Sequence, residues 1–332
     1  MKRLHMALCG MIIALALIMM PSVVAGAAEQ VEDDLLSAND GQINNGDTLS
    51  VVEVNYSTKE EQYFNLSLNR LKDENRSKIN ENNLDTTTID EAFIPDGMLT
   101  TDSIQPNALL PGKTWAPVSN VNAYPYSAVL AMRMGWENAS GVIEWYYGTG
   151  FLEGYDVVAT AGHNMWDGQL GWVDDCRFYV RQNGSSYSST SYYHPQKWTC
   201  ATNYTSNLDT NYDWCAITLW DNLGSSNGWF GKGWSSGNIN GKSVTLSGYP
   251  GTAGIQYTGS GTTSHSTTHK VRYDINTLPG NSGSPVYTSD HIVWAIHTTS
   301  YSSSHNMGNR ITEWLYTILQ NKFLEGAAIY GS

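Results

Sequence analysis

Three residues of the sequence have the chemistry to activate a nucleophile together. His163 ends the run Val157–His163, Asp213 precedes an apolar run, and Ser282 lies inside Pro279–Pro285. A serine hydroxyl needs a base to take its proton, and the base needs a carboxylate to hold its tautomer. The three residues occur in the order His, Asp, Ser, separated by 50 and 69 positions (213 − 163 and 282 − 213). They are therefore candidates for acyl-transfer chemistry.

The backbone around the serine suits that chemistry. Gly280 and Gly283 permit angles that residues with a Cβ resist. A turn of this kind lifts a side-chain oxygen into a cleft and aims backbone N–H groups at one point. Each feature alone has an ordinary explanation: a surface turn for the serine, a structural role for His163, and a strand-entry residue for Asp213.

Positioning these residues requires a framework of strands. Beyond residue 107 the chain is rich in Tyr, Trp, Gly, Ser and Thr, and short apolar runs alternate with turns, which predicts an antiparallel sandwich or barrel. One helix is expected at the C-terminal end, with Thr312 as its N-cap and Ile311, Trp314, Leu315, Ile318 and Leu319 on one face. The predicted strands cover residues 128–132, 142–147, 157–160, 177–180, 216–220, 244–246, 270–273, 284–287 and 292–296.

Charge separates two parts of the chain. The net charge is −13, which argues against a nucleic-acid partner. Residues 29–107 contain 17 acidic and 5 basic residues and no Trp or Cys, whereas residues 108–332 contain 14 acidic and 11 basic residues and every Trp. The acidic part looks too polar to bury a core by itself. It is interpreted as a pro-segment, with a disordered spacer as the alternative.

The first 28 residues have the form of a secretory signal. Lys2 and Arg3 precede an apolar core at Met11–Met20, and small residues follow at Val24–Ala28. A retained membrane anchor is the alternative. The signal predicts a secreted protein with no membrane association after its removal.

Three cysteines remain beyond the signal, so they cannot all pair within the chain. Cys215 lies in an apolar run and is expected to be a small buried hydrophobe. Cys176 and Cys200 are then the candidate pair, and a loop of about 25 residues would contribute roughly 3 kcal/mol.

The motifs taken together resemble the bacterial glutamyl endopeptidase (V8-protease-like) group of the chymotrypsin-like serine proteases. The resemblance covers about residues 108–330. It implies an all-β fold of two antiparallel β-barrels with a C-terminal helix, preceded by the signal peptide and the acidic pro-segment. His163 and Asp213 would come from the first barrel and Ser282 from the second. The matching stretches are Ala123–Tyr126, Gly148–Phe151, Thr160–His163, Asn211–Ile217, Ser247–Gly251, Gly280–Pro285 and Asn306–Thr312.

The resemblance also assigns roles to these residues. Ser282 attacks the scissile carbonyl, His163 is the general base and acid, and Asp213 supports the imidazolium. The backbone N–H groups of Gly280 and Ser282 would form the oxyanion hole.

Specificity residues follow from the same resemblance. Thr277 and His297 match positions that bind a substrate glutamate, and both can donate to a carboxylate. Cleavage after Asn107 would free the amine of Ala108, a further expected substrate-binding group, with Lys113 as a second candidate boundary. Ser300 stands where relatives often have Gly, on the strand that pairs with substrate.

A second departure follows the candidate base. Asn164 stands where many relatives have Cys, so a common disulfide is absent.

The sequence thus predicts a signal peptide (1–28), a pro-segment (29–107) and a serine endopeptidase domain (108–332) that cleaves after Glu, and Asp less well. Protein or peptide substrates and an activating protease are the expected partners of a monomer. No cofactor is expected, and no carboxylate cluster has metal-ligand spacing. The alternatives are a serine protease of another specificity and a non-catalytic, protease-like binding protein.

Overall fold

The fold consists of two β-barrels, a C-terminal helix and an N-terminal hairpin with its own helix. The computed structural model describes residues 48–82, 84, 90–98, 113, 115–184, 187 and 191–331. The predicted signal peptide and the predicted cleavage point between Asn107 and Ala108 lie outside the described residues.

The elements are short strands joined by turns, with one long helix at each end of the described chain. In chain order they are β1 (Thr48–Asn55), β2 (Glu61–Ser67), α1 (Leu68–Glu81), β3 (Trp115–Pro117), β4 (Val129–Glu137), β5 (Ile143–Leu152), β6 (Val157–Thr160), β7 (Trp166–Asp167), β8 (Gly171–Trp172), β9 (Asp175–Val180), β10 (Pro195–Ala201), α2 (Thr202–Asn207), β11 (Cys215–Leu219), α3 (Gly224–Asn227), β12 (Gly231–Lys232), β13 (Ser243–Gly248), β14 (Tyr257–Ser264), β15 (Lys270–Tyr273), β16 (Pro285–Tyr287), β17 (Ile292–Ser300), β18 (Asn306–Arg310) and α4 (Glu313–Tyr330).

The first barrel runs in the order β9-β4-β5-β6-β11-β10, with every neighbouring pair antiparallel. Paired backbone hydrogen bonds of 2.9 Å between Phe178 and Tyr193 connect its two ends. Its central strands β6 and β11 are buried along their whole length, which explains their continuous apolar sequences. These strands lead directly to the candidate residues His163 and Asp213.

The second barrel is closed by six antiparallel strands. Its order is β17-β16-β13-β14-β15-β18, and β18 also pairs with β17. The short strands β3 and β12 pair with β14 and β17 at its edges. Its interior is a separate cluster of buried apolar side chains: Ile239, Val244, Leu246, Val271, Tyr273, Ile275, Val286 and Ala295. The prediction of two antiparallel barrels is confirmed.

All nine predicted strands overlap observed strands. Among those that the sequence did not indicate, β14 reads Tyr-Thr-Gly-Ser-Gly-Thr-Thr-Ser and contains no aliphatic side chain. Its backbone pairs with three other strands, so barrel pairing rather than local apolar pattern makes it a strand.

The C-terminal helix α4 forms as predicted and packs on the first barrel. The Thr312 hydroxyl accepts a hydrogen bond of 3.3 Å from the N–H of Leu315, which caps the helix. Leu315 and Leu319 are fully buried, and the rings of Phe323 and Trp229 meet edge to face with centroids 5.7 Å apart. None of the helices in the described part of the chain has the length and apolar character needed to cross a membrane.

The acidic segment is where the structure departs most from expectation. β1 adds to the first barrel by antiparallel pairing with β10, and β2 completes a hairpin with β1. Val52 and Val54 are fully buried, and burying such a side chain contributes about 1.5–3 kcal/mol. The disordered-spacer alternative is therefore wrong for residues 48–82. The segment has few apolar residues, and those that are buried pack against the barrel rather than in a core of their own, whereas Tyr63 and Phe64 are exposed.

The predicted Cys176–Cys200 disulfide is also wrong. Cys200 on β10 lies directly opposite Cys215 on β11, and these two are bonded with a Cα–Cα distance of 4.7 Å. Antiparallel pairing brings them within bridging distance. Cys176 is a buried free thiol on β9, with its Sγ 3.9 Å from the Sδ of Met165. Cys215 is thus buried, as expected, but as a disulfide partner.

The disulfide gives the first prediction. Replacing both Cys200 and Cys215 with Ser should lower the free energy of unfolding by about 3 kcal/mol, because the bond closes a short loop in the unfolded chain. Chemical denaturation measures this change. Non-reducing peptide mapping should find Cys200 linked to Cys215, with Cys176 alkylated only after unfolding. A Cys176–Cys200 peptide would contradict the structure.

Candidate active site

The candidate base and acid lie together at the end of β6. His163 belongs to the 3₁₀ turn Gly162–Asn164, and Asp213 follows the 3₁₀ turn Thr210–Tyr212. The Nδ1 atom of His163 lies 2.9 Å from Oδ2 of Asp213. The backbone N–H of His163 donates to Oδ1 of the same carboxylate at 2.9 Å. Asp213 therefore fixes both the ring and the backbone of His163.

Burial and charge oppose each other in this pair. Burial favours a lower pKa for His163, but the charge of Asp213 and its hydrogen bond outweigh it, so the pKa lies above its ordinary value. Burial of Asp213 favours a higher pKa, yet His163, Lys270 and the His163 N–H hold that pKa below its ordinary value. The carboxylate is thus ionised and the imidazole is a stronger base than a free one.

Ser282 lies on the turn between β15 and β16, where two glycines have positive φ. Gly280 has φ +102° and Gly283 has φ +89°. A Cβ on Gly283 would lie 1.9 Å from the carbonyl oxygen of Thr149 and 2.2 Å from Oγ1 of Thr160. Conformation and space both require glycine at position 283, because the turn presses against the first barrel.

The first barrel holds this turn by hydrogen bonds. The carbonyl of Ser282 accepts from the N–H of Thr149 at 2.8 Å and from Nδ2 of Asn164 at 2.9 Å. The Thr149 hydroxyl donates to the carbonyl of Gly280 at 2.8 Å. Asn164 also donates to Oγ1 of Thr160 at 2.9 Å. Since Asn164 is adjacent to His163 in the chain, these contacts bring Ser282 beside the His163 turn.

Asn164 has a role that the sequence did not reveal. It was noted only as a departure, since relatives often have Cys there. In the structure its side chain is buried and joins the two barrels. Thr149 was part of a matched motif and had no assigned role. Asn164 and Thr149 each form hydrogen bonds to the other barrel, and spacing within the sequence does not reveal such contacts.

The second barrel holds the Asp213 turn in the same way. The ammonium of Lys270 donates to the carbonyl of Thr210 and to Oδ1 of Asn309, each at 2.5 Å. Nδ2 of Asn309 donates to the carbonyls of Thr210 and Asn211 at 3.0 and 2.9 Å. Burial lowers the pKa of Lys270 to about 8, against the charges of Asp213 and Asp209. The buried cation also favours ionised Asp213.

The predicted oxyanion donors have the backbone environment that such a role needs. The neighbouring N–H groups of Asn281, Gly283 and Ser284 donate to backbone carbonyls of the turn and of β17. Within the described part of the chain, the N–H groups of Gly280 and Ser282 have no such acceptor. The assignment of these two groups as an oxyanion hole stays a prediction.

His297 is buried directly behind the nucleophile turn. Its carbonyl accepts from the N–H of Gly283 at 2.8 Å, and its N–H donates to the carbonyl of Ser284 at 2.9 Å. Its Nδ1 lies 2.6 Å from the hydroxyl of Tyr273. Burial lowers the pKa of His297 to about 3, so the ring is neutral at neutral pH. Tyr273 was not among the sequence-predicted residues.

The remaining predicted substrate-binding residues are more dispersed. Thr277 is half-buried on the loop between β15 and the nucleophile turn, and Ser300 is exposed at the end of β17, opposite Asn306. Ala108 lies outside the described residues. No three His, Cys, Asp or Glu side chains converge as metal ligands among the residues that the structure describes.

The architecture defines a class. Two antiparallel barrels, a hydrogen-bonded His–Asp pair on the first and a serine on a glycine turn of the second are the arrangement of the chymotrypsin-like serine proteases.

Comparison with known proteins gives the group within that class. The chain is 34% identical over 222 residues to the glutamyl endopeptidase of Bacillus licheniformis. The alignment covers 61% of this chain and 65% of that protein. It is 30% identical over 230 residues to a Bacillus subtilis protein named extracellular metalloprotease, which covers 66% of this chain and 70% of that protein. The chain thus spans slightly less than two thirds of the first relative. No protein-family model matches.

Solved structures show the same fold. A Glu endopeptidase in complex with MPD aligns with a TM-score of 0.54 at 20% identity, over 67% of this chain and 98% of that one. The protease Anisep from Arthrobacter nicotinovorans aligns with a TM-score of 0.51 at 18% identity, over 64% and 99%. The sequence matches and the shared fold together support a V8-like serine protease of the chymotrypsin fold.

The His163–Asp213 pair gives the second prediction. NMR titration of His163 should give a pKa above about 6.5, its ordinary value. Asp213→Asn should lower that pKa, because burial then acts without the opposing charge. Asp290→Asn, which removes an exposed carboxylate, is the control and should leave it unchanged. A fall of equal size in both variants would show that net charge, rather than Asp213, sets the pKa.

The bridge between the barrels gives the third prediction. Asn164→Ala removes one of the two donors to the Ser282 carbonyl, and losing such a bond costs about 1–3 kcal/mol. Labelling of Ser282 by a serine-directed phosphonate should slow about tenfold, while the pKa of His163 stays unchanged. Asn183→Ala, in an exposed turn, is the control. An unchanged labelling rate in Asn164→Ala would show that the bridge does not position the serine.

Proposed function

We propose that the chain is a secreted serine endopeptidase, made as a precursor, that cleaves peptide bonds after Glu. The proposal rests on the arrangement of the three residues. Asp213 holds the ring of His163 by a hydrogen bond, and Asn164, the next residue, donates to the carbonyl of Ser282 and so holds the serine turn beside them. Its 34% identity over 222 residues to a glutamyl endopeptidase supports the same class of reaction.

The proposed chemistry uses these residues in sequence. His163 takes the proton of Ser282 as the hydroxyl attacks the scissile carbonyl, and the tetrahedral oxyanion is bound by the N–H groups of Gly280 and Ser282. His163 then gives its proton to the leaving amine. Water attacks the acyl-enzyme by the same route and restores the serine. Asp213 stabilises the imidazolium in both steps.

The preference for Glu rests on His297. A neutral, buried imidazole held by the Tyr273 hydroxyl can donate to an acidic substrate side chain from its other nitrogen. Thr277 would supply a hydroxyl, and Ser300 would lie along the substrate backbone. The amine of Ala108, freed by an activating protease after Asn107, would add a positive charge. Both cleavage-site residues lie outside the described chain.

Secretion is supported by the apolar N-terminal sequence and by the name of the relative called extracellular. We propose a soluble, monomeric, processed enzyme with peptide substrates and no cofactor. N-terminal sequencing of the secreted form tests whether the processed enzyme begins at Ala108, directly after Asn107.

The fourth prediction tests the reaction itself. The processed protein should cleave a peptide series with Glu, Gln, Asp, Leu or Arg at one position fastest after Glu. Ser282→Ala should lower kcat by about four orders of magnitude or more. Activity should rise with pH through a pKa above about 6.5, as His163 loses its proton.

The two alternatives give different results in that experiment. A non-catalytic binding protein would cleave nothing and would leave Ser282 unlabelled by a phosphonate. A protease of another specificity would be labelled and would cleave after Leu or Arg faster than after Glu.

The fifth prediction concerns specificity. His297→Ala should reduce the preference for Glu over Gln about tenfold to a hundredfold, because it removes a hydrogen bond to a charged group. Tyr273→Phe should have a smaller effect in the same direction, since it only frees the ring. The ratio of kcat/KM for matched Glu and Gln peptides measures both. Equal losses on the two peptides would indicate a structural role for His297.

A further inference from the structure

The N-terminal segment supplies the protease region with a strand. The residues of β1 pair in register with β10, from Val51 opposite Ala201 to Asn55 opposite Lys197. The N–H of Tyr56 extends the pairing to the carbonyl of Gln196 at 2.9 Å. Without β1, this stretch of β10 would have an open edge, which in other proteins promotes association with further strands.

Both faces of this strand are used. Val52 and Val54 point to one face and are fully buried. Val51 and Glu53 point to the other, where they line a cleft with Leu71 of α1 and with Ile318 and Lys322 of α4. The segment therefore seals a surface shared by the barrel and the C-terminal helix.

Two buried lysines of the protease region take carboxylate partners from the segment. The ammonium of Lys322, whose side chain is 6% exposed, lies 3.6 Å from Glu53. That of Lys232, 1% exposed, lies 3.8 Å from Asp90. The lysines are buried, whereas the carboxylates are 26% (Glu53) and 41% (Asp90) exposed, so the lysines are the desolvated members of these pairs. Loss of the segment would take a counter-charge from each lysine.

Polar and aromatic contacts extend the interface. Asn75 of α1 is buried, and its Nδ2 donates to the carbonyl of Thr317 at 3.1 Å. Lys78 pairs with Glu325 at 3.0 Å, and Phe93 stacks on Trp229 with ring centroids 4.3 Å apart. None of the hydrogen bonds or ion pairs between residues 48–98 and the rest of the described chain involves the three candidate catalytic residues.

We propose that residues 48–98 stay bound after the precursor is cut, as a non-covalent second chain that completes the first barrel. The inference rests on the proposed function, and in particular on the proposed cleavage after Asn107. The surface formed by β10 and α4 is thus covered by residues 48–98 of the same chain. A pro-segment of this kind supports the fold and does not act by covering the catalytic residues.

The experiment uses the full chain with Ser282→Ala, so that no self-cleavage occurs. A recognition sequence for a site-specific protease is placed within residues 101–110, and an affinity tag is added after Ser332. After cleavage, the tagged piece is captured, washed and passed through gel filtration. Mass spectrometry should find the N-terminal piece in equal amount with the tagged piece. Loss of the N-terminal piece from a soluble, folded protease domain would overturn the proposal.

Matched variants test what holds the segment. Glu53→Gln and Asp90→Asn should each speed release of the cleaved segment about tenfold, because each removes an attraction between the segment and a buried lysine. Asp73→Asn is the control, since it removes the same charge from a side chain that is 68% exposed. Equal release rates in all three variants would overturn the assignment of the ion pairs.

The outcome is independent of catalysis. Retention of the segment in the Ser282→Ala protein would stand even if the wild-type protein cleaved no peptide, which would refute only the proposed function. Conversely, an active wild-type enzyme whose purified form yields a single N-terminus would overturn the bound second chain and leave the proposed function intact. Two N-termini, one from each piece, support the proposal.

Discussion

The geometry of the site depends on hydrogen bonds that cross between the barrels. The first barrel holds the Ser282 carbonyl through Thr149 and Asn164, and the second holds the Asp213 turn through Lys270 and Asn309. Each barrel therefore positions the candidate catalytic loop that belongs to the other. Because these donors and acceptors are largely buried, a shift between the barrels would leave several of them unpaired, which is costly. The same hydrogen bonds therefore fix both the relative placement of the barrels and the geometry of the site.

Burial then sets the charge of each group. Asp213 stays ionised because His163 and Lys270 compensate its desolvation, and the same carboxylate raises the basicity of His163. His297 has no such counter-charge of comparable effect, so burial leaves it neutral. Two histidines near one serine thus have opposite protonation behaviour. One suits proton transfer and the other suits donation to a bound group.

The N-terminal hairpin and α1 follow the same physical rule at larger scale. Lys232 and Lys322 are buried cations, and carboxylates from the acidic segment lie beside both. The acidic residues that suggested a poorly packing segment are partly the residues that this interface requires, because they lie beside the buried lysines. A segment with few apolar residues can fold when a preformed barrel and helix supply most of the buried surface.

The sequence by itself determined the strand-rich class, the capped C-terminal helix, and the order of His163, Asp213 and Ser282, because these follow from local patterns and short motifs. Tertiary structure decided which cysteines pair, since strand register places Cys200 opposite Cys215. It also decided the bridging role of Asn164 and the docking of residues 48–82. Those features join residues far apart in the chain, and local pattern contains no information on which surfaces meet.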